Sequence, residues 1–271
     1  MTLTELRTVI ERDNGLTFSA WLCENRLRVP QLGFISELMD GCQHVHYHHE
    51  GDVLTHTLLV IDRMSVRPHD WIDILCALLH DVGKKEALEA NGGKNMHGHE
   101  IYGESIARDI LLGMNADSDV TETVCFVVRN HTMANDLVKC KSKYDCWKLI
   151  QCPLFPRLRR LAVADAAGTY GPDMAPIVDY EAELANSVAG FCLANPMPEP
   201  LMTVDDLVER GVNPDDIPDM LDMCHKIQVN GNVTKKNSII GNAIKNLAMS
   251  TQSVAENARN LKKRENLFIF F

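Results

Sequence analysis

No stretch of the 271-residue sequence approaches the ~18–20 consecutive apolar residues that a membrane-crossing helix needs. The N-terminal MTLTELRTVIERDNG carries charges where a secretory signal would carry an apolar run, so a cytoplasmic protein without a membrane partner is expected. A C-x-x-C pair is also missing. The nine cysteines are odd in number and scattered, several of them inside apolar runs. That pattern argues for reduced, buried thiols and against a disulfide framework. Neither the 16 Gly nor the 11 Pro is an excess, which excludes collagen-like and low-complexity chains. A surplus of bases is absent too: the net charge is −10, the wrong sign for a protein that coats long nucleic acid by neutralising many phosphates.

What is present is a globular composition, 45% hydrophobic and 24% charged, long enough for one large domain or two modest ones. The apolar residues follow a helical period almost throughout, and no credible series of alternating strands can be found. Asp52 caps a predicted helix to about Met64, striped by Val53, Leu54, Leu58 and Ile61. Asp70 opens the next, whose apolar face leads to His80 and Asp81, with Gly83 as a stop. After the Gly-rich NGGKNMHGH, residues 99–112 make a third helix with Ile106 and Ile110 inward. Asp119 and Glu122 resemble a capping box for a fourth, which carries Val120, Val124, Val127 and Val128. Further helices fit at about 144–151, 156–167 and 176–193. The three prolines of NPMPEP, 195–200, mark a linker, and Gly211-Val-Asn-Pro214 restarts a helix to about Val229. The expected organisation is all-α: an N-terminal helical segment 1–40, a body 41–193 and a small acidic helical extension 194–271.

Charge is unevenly placed. Residues 129–160 hold eight bases, among them Arg129, Arg159 and Arg160, against two acids, whereas residues 173–222 hold twelve acids and one base. Such runs are usually solvated faces; the alternative is a basic wall beside a phosphate site. Ten of the eleven histidines lie before residue 132, a bias that single core histidines do not produce. His80-Asp81 ends an amphipathic helix, where the electronegative terminus favours a bound cation. Imidazole nitrogen with carboxylate oxygen suits Mn, Fe, Co, Ni or Zn, with Mg possible. Asp165 shares an apolar stripe with Leu158, Leu161 and Ala162, so its carboxylate faces the core. A buried carboxylate needs a partner. Arg159, Arg160, a core hydroxyl or a metal ion would serve. His131 lies on the inward face set by Val127 and Val128, and His99 shares a face with Gly103, which permits close approach.

Together, His56 in LTHTLLVID, His80-Asp81 in ALLHDVGK and Asp165 resemble the H…HD…D signature of the HD-domain metal-dependent phosphohydrolases. The wording of HHEGDVLTHTLLVID, CALLHDVGK, HGHEIYGESIA and FVVRNHT is similar to the HD region of bacterial CCA-adding tRNA nucleotidyltransferases, over roughly residues 43–235. Residues 1–40 are too short for that family's nucleotide-adding head and lack its motif, so nucleotide addition is not expected. The resemblance implies an HD helical bundle with one or two divalent ions. His56, His80, Asp81 and Asp165 would hold the first; His99 and His131, with Asp81 bridging, would hold the second, and His97 is an alternative to His99. Lys84 would meet a phosphate oxygen, with Lys85, Arg129, Arg159 and Arg160 as further substrate contacts. His48 is a candidate leaving-group acid; His44 and His46 receive no role. The implied activity is phosphohydrolysis of a nucleotide phosphate or an RNA end: 2′,3′-cyclic phosphodiesterase or 2′- or 3′-phosphatase first, nucleotidase or triphosphohydrolase second. A non-catalytic module that binds RNA ends or a partner on the same scaffold is the reading from another class. Extended duplex nucleic acid is not an expected partner.

Overall fold

The computed structural model describes residues 1–35, 51–135, 137, 142–170 and 180–244. Among them the regular elements are helices, α1 Leu3–Glu11, α2 Phe18–Asn25, α3 Val53–Ser65, α4 Trp71–Leu79, α5 Lys84–Ala90, α6 His99–Gly113, α7 Ser118–Asn135, α8 Lys143–Gln151, α9 Phe155–Gly168, α10 Tyr180–Ala194, α11 Val204–Val208 and α12 Ile217–Gly231. Among the described residues no helix is long and apolar enough to cross a membrane. The chain divides into two compact units, one of residues 1–140 and 150–191, the other of 141–149 and 192 onward.

In the first unit α9 packs against α3, α4 and α7, α6 lies along α7, and α5 rests on α6. The core is contributed by Ile61 and Met64 of α3, Ile74, Leu75, Leu78 and Leu79 of α4, Val124, Val127 and Val128 of α7, and Leu158 and Leu161 of α9, all buried. Each such side chain contributes ~1.5–3 kcal/mol when fully removed from water. Three predicted details are corrected. The stripe of α3 is rotated: Leu58 is only half-buried, while His56, Thr57 and Val60 point inward. On α6 the buried line is Gly103, Ala107 and Leu111, with Ile106 and Ile110 displaced to the flanks. Small residues win there because α6 lies so close to α7 that a Cβ on Gly103 would sit 3.1 Å from the Val128 side chain. Finally, the cap of α7 is Asp117, whose carboxylate accepts from the Val120 N–H at 2.8 Å, and Glu122 instead holds Arg108. Helix α5, in the stretch after Gly83, was not expected from the sequence.

At the start of α4, Asp70 and Asp73 form a reciprocal capping box. Asp73 is fully buried and accepts from Arg157 at 2.6 Å and from Arg160 at 2.9 and 3.1 Å. This is where two bases of the positive segment are spent.

The second unit has its own small core of Met202, Leu207, Ile217, Met220, Cys224 and Ile239. Asn213 caps the restart at Pro214, as the sequence suggests. Tyr144 and Lys148 of α8 both bond Asp222 of α12, at 2.8 and 2.6 Å. Cys76, Cys125 and Cys224 are free and buried as expected, whereas Cys23 is free but exposed. Cys146 departs from the expectation of reduced thiols, being disulfide-bonded.

Candidate metal centre

Five helices converge on one buried cluster. His56 comes from α3, His80 from the C-cap of α4 with Asp81 immediately beyond it, His99 from the first turn of α6, His131 from α7 and Asp165 from α9. His56, His80, Asp81 and His131 are all buried, at 3% exposure or less.

The Asp81 carboxylate divides the cluster in two. Its Oδ2 lies 3.1 Å from His80 Nε2 and 3.6 Å from His56 Nε2. Its Oδ1 lies 3.3 Å from His99 Nε2 and 3.7 Å from His131 Nε2. Asp165 closes the first half, its Oδ1 3.0 Å from His56 Nε2 and 4.0 Å from His80 Nε2. Thus His56, His80 and Asp81 form one group with metal-ligand spacing, and Asp81, His99 and His131 another.

The orientation of the rings follows from one local device used three times. The Nδ1 atoms of His80, His99 and His131 each face the carbonyl oxygen three residues earlier, Ala77 at 2.8 Å, Met96 at 3.0 Å and Val128 at 2.7 Å. A carbonyl only accepts, so each Nδ1 carries hydrogen and a neutral ring turns its Nε2 lone pair into the cluster. His99 Nε2 and His131 Nε2 are 3.0 Å apart. Two lone pairs at that distance repel unless a cation or a proton lies between them. The donor set therefore fits a divalent ion in each half: imidazole Nε2 atoms aimed inward and fixed from behind through Nδ1, with a shared carboxylate.

Electrostatics point the same way. Burial alone would push the Asp81 carboxyl up, but His80 and Lys84 outweigh it and hold the group well below the ordinary carboxylate range. Asp165 is likewise raised by burial and then pulled below that range by the His56 hydrogen bond and the charges of His56 and His80. Burial, reinforced by His80, pushes His131 down to about 4, so it is neutral at physiological pH. His99 is pushed down by burial and lifted more strongly by Asp81, for a net rise.

Residues 53–167 match the family model of the HD domain. The match begins at the first residue of α3 and ends in the last turn of α9, so it encloses all six residues of the cluster. An HD domain marks, in general, a metal-dependent phosphohydrolase. The chain is also 26% identical over 166 residues to the multifunctional CCA protein of Azoarcus sp. (strain BH72), a stretch covering 58% of this chain and 39% of that protein. The chain thus spans about two-fifths of the length of the curated relative it matches.

Other expected residues of the HD domain lie nearer or farther. Lys84 is in the cluster, buried, with Nζ 2.6 Å from Asp81 Oδ2. Lys85 follows it, half-buried, in the first turn of α5. His97 is exposed, which leaves His99 as the inward histidine of that loop. Arg129 lies 3.6 Å from Glu100 and 3.5 Å from Glu104 on α6. Glu100, which the sequence reading passed over, is 3.9 Å from His99 Nδ1 and so links Arg129 to the rim of the cluster. Arg159 and Arg160 are not brought to the histidines: the first pairs with Glu181 at 3.0 Å and the second with Asp73. Asp73 and His80 stand seven residues apart along α4, about 10 Å at the helical rise. Among the described residues Asp165 faces His56 and His80, at 3.0 and 4.0 Å. His48, with His44 and His46, lies outside the described residues.

Proposed function

We propose that the chain hydrolyses a phosphate ester of a nucleotide or an RNA end, most concretely opening a 2′,3′-cyclic phosphate to a monoester or removing a 2′- or 3′-phosphate. The observation that carries the reading is the Asp81 carboxylate, with His80 and His56 on one oxygen and His99 and His131 on the other. His56, His80, Asp81 and Asp165 would hold one divalent ion, and Asp81, His99 and His131 a second. Ions so held supply Lewis acidity toward phosphoryl oxygens and activation of water at neutral pH. The chain itself fixes the imidazole tautomers through the three carbonyl contacts and buries His56, His80, Asp81 and His131, while His99 and Asp165 keep partial access to solvent. Lys84 brings an ammonium to the same cluster, against Asp81 Oδ2, where it would offset charge developing on a phosphate oxygen as the ester bond breaks. The relative's name, a CCA protein, supports a nucleotide or RNA-end substrate.

The test is a panel of cyclic, 2′-, 3′- and 5′-phosphorylated nucleotides and triphosphates, assayed with Mn, Co, Ni, Zn, Fe and Mg in turn and scored by product. Cleavage of cyclic or 2′- or 3′-phosphates, abolished in His80→Ala and Asp81→Ala variants that keep their helicity, is expected. Lys84→Ala is expected to lower turnover by about 10²–10³ with metal content unchanged. Cleavage confined to 5′-phosphates or triphosphates would replace this reading with a nucleotidase or triphosphohydrolase. Inertness toward the whole panel would leave a non-catalytic RNA-end or partner-binding module.

A further inference from the structure

Arg159 and Arg160, remote from the histidines, line a separate cleft of about 280 Å³. Arg67, from the loop after α3, completes its basic wall, and Glu181 stands at the same opening. Pro68, Pro156 and Val163 supply an apolar side. The cleft is not an annexe of the metal centre. Arg159 and Val163 are four residues apart on one face of α9, and Asp165 is two residues, about 200°, further round the helix.

The guanidiniums are held but not exhausted. Arg67 donates one bond to the Arg63 carbonyl, Arg159 one to Glu181, and Arg160 uses Nε and Nη2 on Asp73. Each arginine has five N–H donors, so several remain for a ligand. Asp73 is fully buried and already shared with Arg157, so among the described lining residues Glu181, 63% exposed and paired with Arg159, is the acid at the opening. A planar guanidinium fork matches the oxygens of a phosphate, three such side chains line this one cleft, and the cleft lies at the small end of ligand sites.

We propose that this cleft is a second anion site, which takes a small organic phosphate: its phosphate enters between Arg67, Arg159 and Arg160 in place of the Glu181 carboxylate, and its flat or cyclic body packs on Pro68, Pro156 and Val163. The site is independent of the reaction at the metal centre. Calorimetric titration of the chelator-treated full chain with inorganic phosphate and with phenyl phosphate tests it. One saturable site is expected, with phenyl phosphate the tighter of the two. The double variant Arg67→Gln/Arg159→Gln, altered at residues that are not buried, should weaken binding at least tenfold with an unchanged melting curve. Glu181→Gln should tighten binding roughly two- to fivefold, the worth of the exposed ion pair it removes. Absence of saturable binding to the wild type, undiminished binding to the double variant, or no gain in Glu181→Gln would overturn the proposal; equal affinities for the two anions would overturn its choice of an organic ligand.

Discussion

Neutral imidazole binds a metal ion and imidazolium does not, so on the proposed ligand assignment the protonation of His99 and His131 would decide when the second ion loads. The two are shifted in opposite directions. His131, pushed down to about 4 from 6.5 by burial and by His80, is neutral and ready at any pH above that range. In the ion-free protein the unfolded chain binds the His131 proton more readily than the folded one, so this residue's effect lowers stability as pH falls from 6.5 toward 4. His99 is raised, so the stabilisation it gains from Asp81 is fully present below 6.5 and is lost as pH rises through its folded value. Metal uptake just above pH 6.5 should therefore release a proton from His99, measurable as a buffer-dependent heat of binding, and affinity should climb with pH. His131→Ala should reduce bound metal from about two equivalents to about one; equal metal content would remove the second ion from the account. These residues were legible in the sequence for different reasons. Asp165 declared itself by helical phase, a carboxylate on an apolar stripe, but phase could not choose between arginine, hydroxyl and metal as its partner. Asp73 was not legible as a buried charge, because its role as third residue of a capping box hid the arginines that reach it from 84 and 87 positions away.

Among the helices, the placement of His99 depends on backbones in near contact. A Cβ on Gly83 would overlap the Gly103 nitrogen and the His99 carbonyl, and both are main-chain atoms that cannot swing aside. Gly83→Ala should cost about 3 kcal/mol in chemical denaturation and weaken metal binding as well, since the segment it pushes carries His99, a proposed ligand. Unaltered denaturation and metal affinity would show that α5 and α6 have room to separate. Gly168 repeats the arrangement, with a Cβ there 2.9 Å from the Val60 side chain where α9 crosses α3. The sequence pointed to Gly83 as a helix stop and to Gly103 as a point of close approach, yet not to each other. Helical periodicity reports which side of an element is buried, and only the packed structure reports what it is buried against. The same limit explains α6, where the isoleucines draw the eye but the narrow face of Gly103, Ala107 and Leu111 is the one that fits.

For the whole molecule, the all-α architecture was readable because the apolar period is helical in nearly every segment, and the net charge of −10 restricts how much phosphate can be engaged at once. Of the basic segment 129–160, Arg157 and Arg160 pair with Asp70 and Asp73, and Arg129 and Arg159 with surface acids, so much of its charge is already offset within the protein. Binding of an RNA end should accordingly show a log-log salt slope shallower than about −3, and a slope near −6 would mean that an extended chain is engaged. The six clustered side chains are spread over 110 positions, His56 to Asp165, on five helices that touch only after the bundle has closed. Helical segments formed one at a time own at most a fragment of the ligand set, so strong ion capture is a property of the assembled tertiary structure alone. An ion retained there acts as a tether between distant parts of the chain, and it opposes unfolding by the free energy of its own binding. Bound metal thus serves as a gauge of tertiary integrity: a damaged chain could keep its circular dichroism and still come through dialysis empty.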